Sequence, residues 1–202
     1  MIHTSPILVI GGSVRARRLG IQIASWVADV GRAATDATFE VIDLKDWPLP
    51  MDDEPGVPAA GVYDFEHTRA WSRKVAGAAA FVFVTPQYNW GYPAPLKNAL
   101  DHLYAEWGGK PAMIVTYGGH GGGKCGEQLQ QVCEGLNMTP LATRTGLKLA
   151  RERIEANSGE LDPATEFAGH LGDLRQAFGD LNATLNAGRK NPDGRLHPAD
   201  AR

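Results

Sequence analysis

Three short segments of this 202-residue chain gather the groups that hold a ligand. The first is Gly11-Gly12-Ser13-Val14-Arg15-Ala16-Arg17-Arg18-Leu19-Gly20, which follows an apolar run and opens a helical pattern. A helix N-terminus exposes unpaired amides and the positive end of its dipole. With the Ser13 hydroxyl and three guanidinium groups added, the set suits a phosphate monoester. The same residues would also make a plain β-to-α turn with a serine cap and solvated arginines, and the sequence alone leaves the two alternatives even. This loop has neither the Gly-Lys-Ser/Thr triplet of a P-loop nor the Gly-x-Gly-x-x-Gly dinucleotide fingerprint, so ATPase and ordinary Rossmann assignments fall.

The second segment is Thr85-Pro86-Gln87-Tyr88-Asn89-Trp90-Gly91-Tyr92-Pro93. Two prolines stiffen it, Tyr88, Trp90 and Tyr92 offer flat surfaces, and Gln87 and Asn89 offer amides, an inventory for a planar heterocycle. Packing of the loop on its own core is the alternative; its place directly after the strongest strand signal favours a site. The third is Gly118-Gly119-His120-Gly121-Gly122-Gly123, where missing side chains let backbone amides approach a ligand closely. Alone it reads equally as a flexible turn. His120 is placed to touch a substrate, whereas His67, His102, His170 and His197 read as helix-surface or tail residues, and none pairs with a Ser or Cys nucleophile.

The elements that must position these loops follow from periodicity. Ile7–Ile10, Phe39–Ile42, Ala80–Val84, Ala112–Tyr117 and a stretch within Pro140–Leu149 are strand-sized and rich in apolar or β-branched residues. Between them, helical spacing runs over Ala16–Val30, Phe65–Ala76, Pro93–Trp107 and Glu127–Leu136, and a long helix is expected over Pro163–Leu185. Asp46–Gly61 is polar, contains proline and reads as loop. Strict alternation of strand and helix argues for a parallel sheet with helices on both faces. Ligands of such sheets bind outside the carboxyl ends of the strands, where all three loops fall. One domain over residues 1–185 is expected, with a flexible tail over 186–202.

Composition narrows the class. Twenty Lys and Arg against 23 Asp and Glu give a charge of −3, without the basic excess of a nucleic-acid binder. No apolar run reaches membrane-spanning length, and no secretory signal is expected. Cys125 and Cys133 lie eight residues apart on one predicted helix, about two turns, too far for a disulfide. No Cys/His cluster has the spacing of a zinc site, so no metal is expected and a cytoplasmic setting fits. The 24 glycines concentrate at predicted strand ends rather than in low-complexity runs.

Gly12-Ser13-x-Arg15-x-x-Arg18-x-Gly20, Thr85-Pro86-Gln87-Tyr88-Asn89-x-Gly91-x-Pro93-x-x-Leu96-Lys97-Asn98-Ala99-Leu100-Asp101 and the Gly118–Gly123 cluster closely resemble the NADPH-dependent FMN reductase family, over roughly residues 6–150. The resemblance implies a flavodoxin-like, doubly wound, five-stranded parallel sheet in order 2-1-3-4-5 with bound FMN. Ser13, Arg15, Arg18 and the Gly20 amide would hold the 5′-phosphate together with Asn89 or its neighbours. Pro86, Gln87, Tyr88 and Asn89 would line the ribityl chain and ring, and Gly118, Gly119 and Gly121 would meet the pyrimidine edge. Gln87 stands where the family often has Glu.

The expected activity is a ping-pong cycle. NADPH or NADH gives hydride to the flavin and is replaced on the open face, near Trp90, Tyr92 and His120, by a quinone, azo compound, metal oxyanion or free flavin. The competing expectation is a non-enzymatic flavin-binding electron carrier of flavodoxin type, which a charge of only −3 and three arginines at the phosphate loop disfavour. A homodimer or homotetramer is expected from the Leu-, Tyr- and Trp-rich helix at Pro93–Trp107, if its apolar residues exceed what one core needs.

Overall fold

The structure, a computed structural model, describes residues 5–51 and 53–190. Five parallel strands, β1 (Ile7–Gly11), β2 (Phe39–Asp43), β3 (Ala80–Pro86), β4 (Pro111–Gly118) and β5 (Thr139–Lys148), form one sheet. Their order is β2-β1-β3-β4-β5, the flavodoxin-like order expected from the sequence. The helices are α1 (Gly20–Ala34), α2 (Glu66–Ala76), α3 (Ala94–Asp101), α4 (Gly123–Gly135), α5 (Arg151–Ala156), α6 (Pro163–Glu166) and α7 (Leu171–Lys190).

β1, β3 and β4 are buried along nearly their whole length because both faces are covered. Successive side chains point to opposite faces, which sorts them into two cores. On one side Val9, Val82, Val84 and Val115 meet Ile23 and Val27 of α1 and Leu174 and Phe178 of α7. On the other Leu8, Ile10, Phe81, Phe83 and Ile114 meet Trp71 of α2, Leu96 and Leu100 of α3, and Leu129 of α4.

Two helices differ from the sequence expectation for identifiable reasons. The expected helix at Pro93–Trp107 stops at Asp101 and is followed by a 3₁₀ turn at Ala105–Trp107. The carbonyls a longer helix would use, those of Ala99 and Leu100, accept instead from the indole N–H groups of Trp71 (2.8 Å) and Trp107 (3.1 Å). Leu96, Leu100, Leu103 and Trp107 are all consumed by this core, so they do not supply a subunit interface. Tyr104 is the large apolar side chain of the stretch that stays exposed.

The expected helix at Pro163–Leu185 is broken between α6 and α7 by a 3₁₀ turn at Ala168–His170. The break lets Phe167 bury fully against Trp26, with ring centroids 5.8 Å apart. α7 continues through Lys190, past the expected start of the tail at Asn186; the rest of that tail, with His197, lies outside the described residues. Cys125 and Cys133 share α4 as unbridged, buried thiols. His102, expected on a helix surface, is buried at the end of α3.

Candidate functional site

The direction of winding reverses between β1 and β3, and the loops leaving these strands meet there. Gly12 closes the first onto the sheet by donating its N–H to the Val84 carbonyl (2.9 Å). A Cβ at Gly12 would lie 3.0 Å from Leu96 Cδ2 and 3.1 Å from Thr85 Oγ1, so any side chain there would press on both. Ser13 is buried, its hydroxyl 2.8 Å from the Tyr88 hydroxyl, and the Arg15 guanidinium lies 3.8 Å from the Tyr88 ring centroid. These contacts lock the first two loops together.

α1 then starts at Gly20, four residues later than expected, with no side-chain cap and no acidic residue in its first turn. Its leading amides and positive dipole end are thus left for an anion. Gly20 is as constrained as Gly12: a Cβ there would sit 2.6 Å from the Tyr117 hydroxyl. Tyr117 is almost fully buried, and that desolvation holds its phenol protonated by raising its pKa.

In the second loop Gln87 donates its N–H to the Tyr117 carbonyl (3.1 Å), and its side-chain oxygen accepts from the Cys125 N–H (3.2 Å) in the first turn of α4. Tyr88 and Gly91 exchange backbone hydrogen bonds of 2.8 and 3.0 Å around Asn89 and Trp90, both at positive φ (49° and 72°). This tight turn throws Trp90 outward, where it is 64% exposed and carries Lys124 Nζ 4.2 Å above its ring.

The third loop divides. Gly118 and Gly119 face open space, whereas Gly121 and Gly122 are buried beneath it. The Gly121 carbonyl accepts from Thr116 Oγ1 (2.6 Å), and a Cβ at Gly121 would lie 3.2 Å from the Gly146 carbonyl oxygen.

Together these loops enclose a cleft of about 430 Å³, in the size range of small-ligand sites. Of the expected cofactor residues, Arg15, Arg18, Pro86, Gln87, Tyr88, Gly118 and Gly119 line it. Ser13 and Gly20 sit just behind that lining, Asn89 is on the exposed turn, and Gly121 packs under the floor. Trp90, Tyr92 and His120, the expected substrate contacts, stand outside the cleft wall.

Sequence reasoning missed part of that wall: Arg17, Leu19, Tyr117, Leu149, Arg153, Ile154, Asn157 and Gly159. α5 and the turn after it form a lip, clamped to α1 by Gln22. The Gln22 side chain donates to the Gly159 carbonyl (2.8 Å) and accepts from the Leu161 N–H (2.8 Å). The short, charged sequence Arg151–Ala156 carries no apolar stripe, so no sequence signal pointed to it.

Four arginines and no carboxylate line the cleft among the described residues, which makes it a basin for anions. Arg18 also pairs with Asp43 at the end of β2, so its charge is partly committed, while Arg15 and Arg17 have no carboxylate partner among the ion pairs of the described residues. A neighbouring groove of about 420 Å³ past Val14 carries a single cation, Lys45, amid mostly apolar residues. The cationic cleft, rather than the groove, is the phosphate-compatible site.

Residues 5–148 match the family model described as NADPH-dependent FMN reductase. The chain belongs to this family. It is similar to an NAD(P)H-dependent FMN reductase of Schizosaccharomyces pombe, 56% identical over 192 residues and covering 94% of both chains. A 2-hydroxy-1,4-benzoquinone reductase of a Burkholderia species is 32% identical over 160 residues, 75% of this chain and 82% of that one. In fold it resembles the flavoenzyme NAD(P)H:(acceptor) oxidoreductase FerB of Paracoccus denitrificans, with a TM-score of 0.62 at 21% identity over 93% of this chain and 98% of that one.

The cleft of this FMN reductase family member fits the cofactor on its own geometry. An uncapped helix start beside Arg15 suits a phosphate, and a tyrosine face with side-chain-free backbone at Gly118 and Gly119 suits a flat ring.

Proposed function

We propose that this chain is an FMN-dependent NAD(P)H oxidoreductase that passes hydride from NADPH or NADH through FMN to a quinone, azo compound, metal oxyanion or free flavin. The observation that carries this reading is the convergence of Arg15, Arg18, Pro86, Gln87, Tyr88, Gly118 and Gly119 on one cationic cleft at the switch point of the sheet. The quinone reductase from Burkholderia supports a quinone as one acceptor class.

FMN supplies the hydride chemistry when bound, at its ring N5. The chain binds, orients and tunes. Arg15, Arg18 and the uncapped amides of α1 hold the phosphate, with Ser13 fixing Tyr88 behind them. Pro86, Gln87 and Tyr88 line the ring and ribityl chain, and the Gly118 and Gly119 backbone meets the pyrimidine edge, where amide donors stabilise negative charge. Arg17 on the rim, with Arg153 partly committed to Glu166 (3.2 Å), draws in the anionic nicotinamide nucleotide. Trp90, Tyr92 and His120 belong to the acceptor side. No group of the chain is assigned as a chemical acid, base or nucleophile.

Residues 1–185 act as one FMN-binding domain, supported by the two cores packed on a single sheet. A homo-oligomer is supported by the exposed Met51, Val57, Val62 and Phe65, large apolar side chains in the stretch leading to α2. A cytoplasmic setting is supported by the two free thiols. No helix of the described residues is long and apolar enough to cross a membrane.

Steady-state NADPH and NADH oxidation by the FMN-loaded protein, with and without a quinone, tests the function. Robust turnover is expected. Bound flavin without turnover would make the chain an electron carrier instead, and a colourless protein that takes up no FMN would overturn the whole assignment.

A further inference from the structure

Outside the cleft, Asp53, His67 and His102 converge although they are 14 and 35 residues apart in sequence. Asp53 comes from the loop before the 3₁₀ turn at Pro58–Ala60, His67 from the first turn of α2 and His102 from the end of α3. Asp53 Oδ2 lies 2.9 Å from His67 Nε2, and Asp53 Oδ1 lies 3.7 Å from His102 Nε2. One ligand atom from each of the three falls within 4.8 Å of the others. A tetrahedral zinc with bonds of about 2.0–2.1 Å holds its ligands about 3.3 Å apart, within a small side-chain adjustment of this arrangement.

The orientation of His102 points the same way. The His102 side chain is 4% exposed and its Nδ1 is 2.8 Å from the Asn98 carbonyl oxygen. A carbonyl only accepts, so Nδ1 carries a proton and Nε2 is the ring nitrogen turned to the cluster. Nε2 faces the Asp53 carboxylate oxygen across 3.7 Å, too long for a hydrogen bond and a gap that a cation would fill. Asp53 Oδ1 and His102 Nε2 are buried atoms without a hydrogen-bond partner, and buried His67 Nε2 lies close to Asp53 Oδ2 (2.9 Å) but is poorly directed for a hydrogen bond to it. A histidine whose second nitrogen donates to a backbone carbonyl is the arrangement that orients an imidazole toward a metal.

We propose that Asp53, His67 and His102 bind one divalent transition-metal ion of the zinc type, tying the loop before α2 to α2 and α3. Two imidazoles and one carboxylate select zinc, cobalt or nickel over magnesium or calcium. The remaining coordination position opens on a cavity of about 140 Å³ lined also by Glu54, Asn98 and Asp101. Lys97 pairs with Asp101, and Glu54 accepts from the backbone N–H groups of Asp64 and Phe65, so solvent completes the shell. The site shares no lining residue with the cationic cleft and does not depend on the flavin.

The test uses the full, FMN-loaded chain without a polyhistidine tag, stripped with chelator and titrated with Co²⁺ and then Zn²⁺. One equivalent of Co²⁺ is expected to give visible ligand-field bands that Zn²⁺ abolishes, with a rise in Tm. His67→Ala and Asp53→Asn should each weaken Zn²⁺ binding more than about 100-fold, beyond the loss of an outer-sphere partner, while FMN content stays at wild-type level. Both of these side chains are partly exposed, so neither substitution disturbs the core as a change at buried His102 would. Absence of the Co²⁺ bands, or equal Zn²⁺ binding by wild type and both variants, would overturn the proposal and leave an Asp53–His67 ion pair in its place.

Discussion

The Arg15 guanidinium lies over Tyr88, 3.8 Å from the ring centroid, so the loop after β1 is held by the loop after β3 through a cation–π contact. Arg15 is exposed and has no carboxylate partner among the described ion pairs, which leaves its N–H groups directed to an incoming anion. Arg15→Ala should weaken FMN binding by about 10- to 100-fold, the worth of a charge-assisted contact, and riboflavin binding far less. Flavin fluorescence titrations compare the two; equal losses would remove Arg15 from the phosphate site.

Tyr88→Phe removes the nearer partner of the buried Ser13 hydroxyl and leaves it only the Arg15 N–H at 3.5 Å. A loss of about 1–3 kcal/mol of stability is expected, read as a lower urea midpoint at unchanged m-value. Ser13→Ala made together with Tyr88→Phe should recover part of that loss, since no buried hydroxyl is then left without Tyr88 and only the long Arg15 N–H contact is lost.

Gln87→Glu keeps the acceptor for the Cys125 N–H and adds a negative charge at the start of α4. The helix dipole favours that charge by about 0.3–1 kcal/mol, while the same charge beside the ring should make the potential of bound FMN more negative. Redox titration and denaturant melts read the two effects separately. An unchanged or more positive potential would show that residue 87 does not face the ring.

Gly122 and Gly109 both adopt left-handed backbone, φ 78° and 72°, but only at Gly122 would a Cβ meet an obstacle, Thr116 Cβ at 2.8 Å. Gly109→Ala should therefore cost about 1–2 kcal/mol, the backbone penalty alone, and Gly122→Ala an additional 1–3 kcal/mol or so from overpacking. Chemical denaturation of the two variants gives the ordering directly.

Burial pushes the thiols of Cys125 and Cys133 from the ordinary 9.0 up to about 11 and about 12. With folded values above unfolded ones, the unfolded chain releases these protons first. Their contribution is complete below pH 9 and declines as pH rises through 9 toward 11–12. Stability should fall across that window, less steeply in Cys133→Val, and neither thiol should react with a disulfide reagent in the native protein at pH 8 or so.

The sheet was legible because β1, β3 and β4 are covered on both faces and carry unbroken apolar runs, which periodicity detects directly. The cleft's two tight loops were legible because their glycines, arginines and tyrosines are contiguous. What stayed hidden depends on partners distant in sequence. α3 ends where Trp71 and Trp107 take its carbonyls, and α4 starts early where Gln87 meets its first turn. His102 turns back onto the Asn98 carbonyl and faces Asp53, and no spacing rule joins residues 53, 67 and 102.

The α5 lip begins at Arg151, just beyond residue 148 where the family match ends, and Gln22 is its main fastening to α1. Leu149, Arg153, Ile154, Asn157 and Gly159 thus supply one wall of the cleft from beyond the family match, and the loops after β1, β3 and β4 supply the rest from within it. Leu149 is tied into the same wall, its N–H donating to the Gly118 carbonyl (2.9 Å), so changes confined to the exposed side chains of Arg153, Ile154 and Asn157 would reshape the entrance while leaving that tie intact.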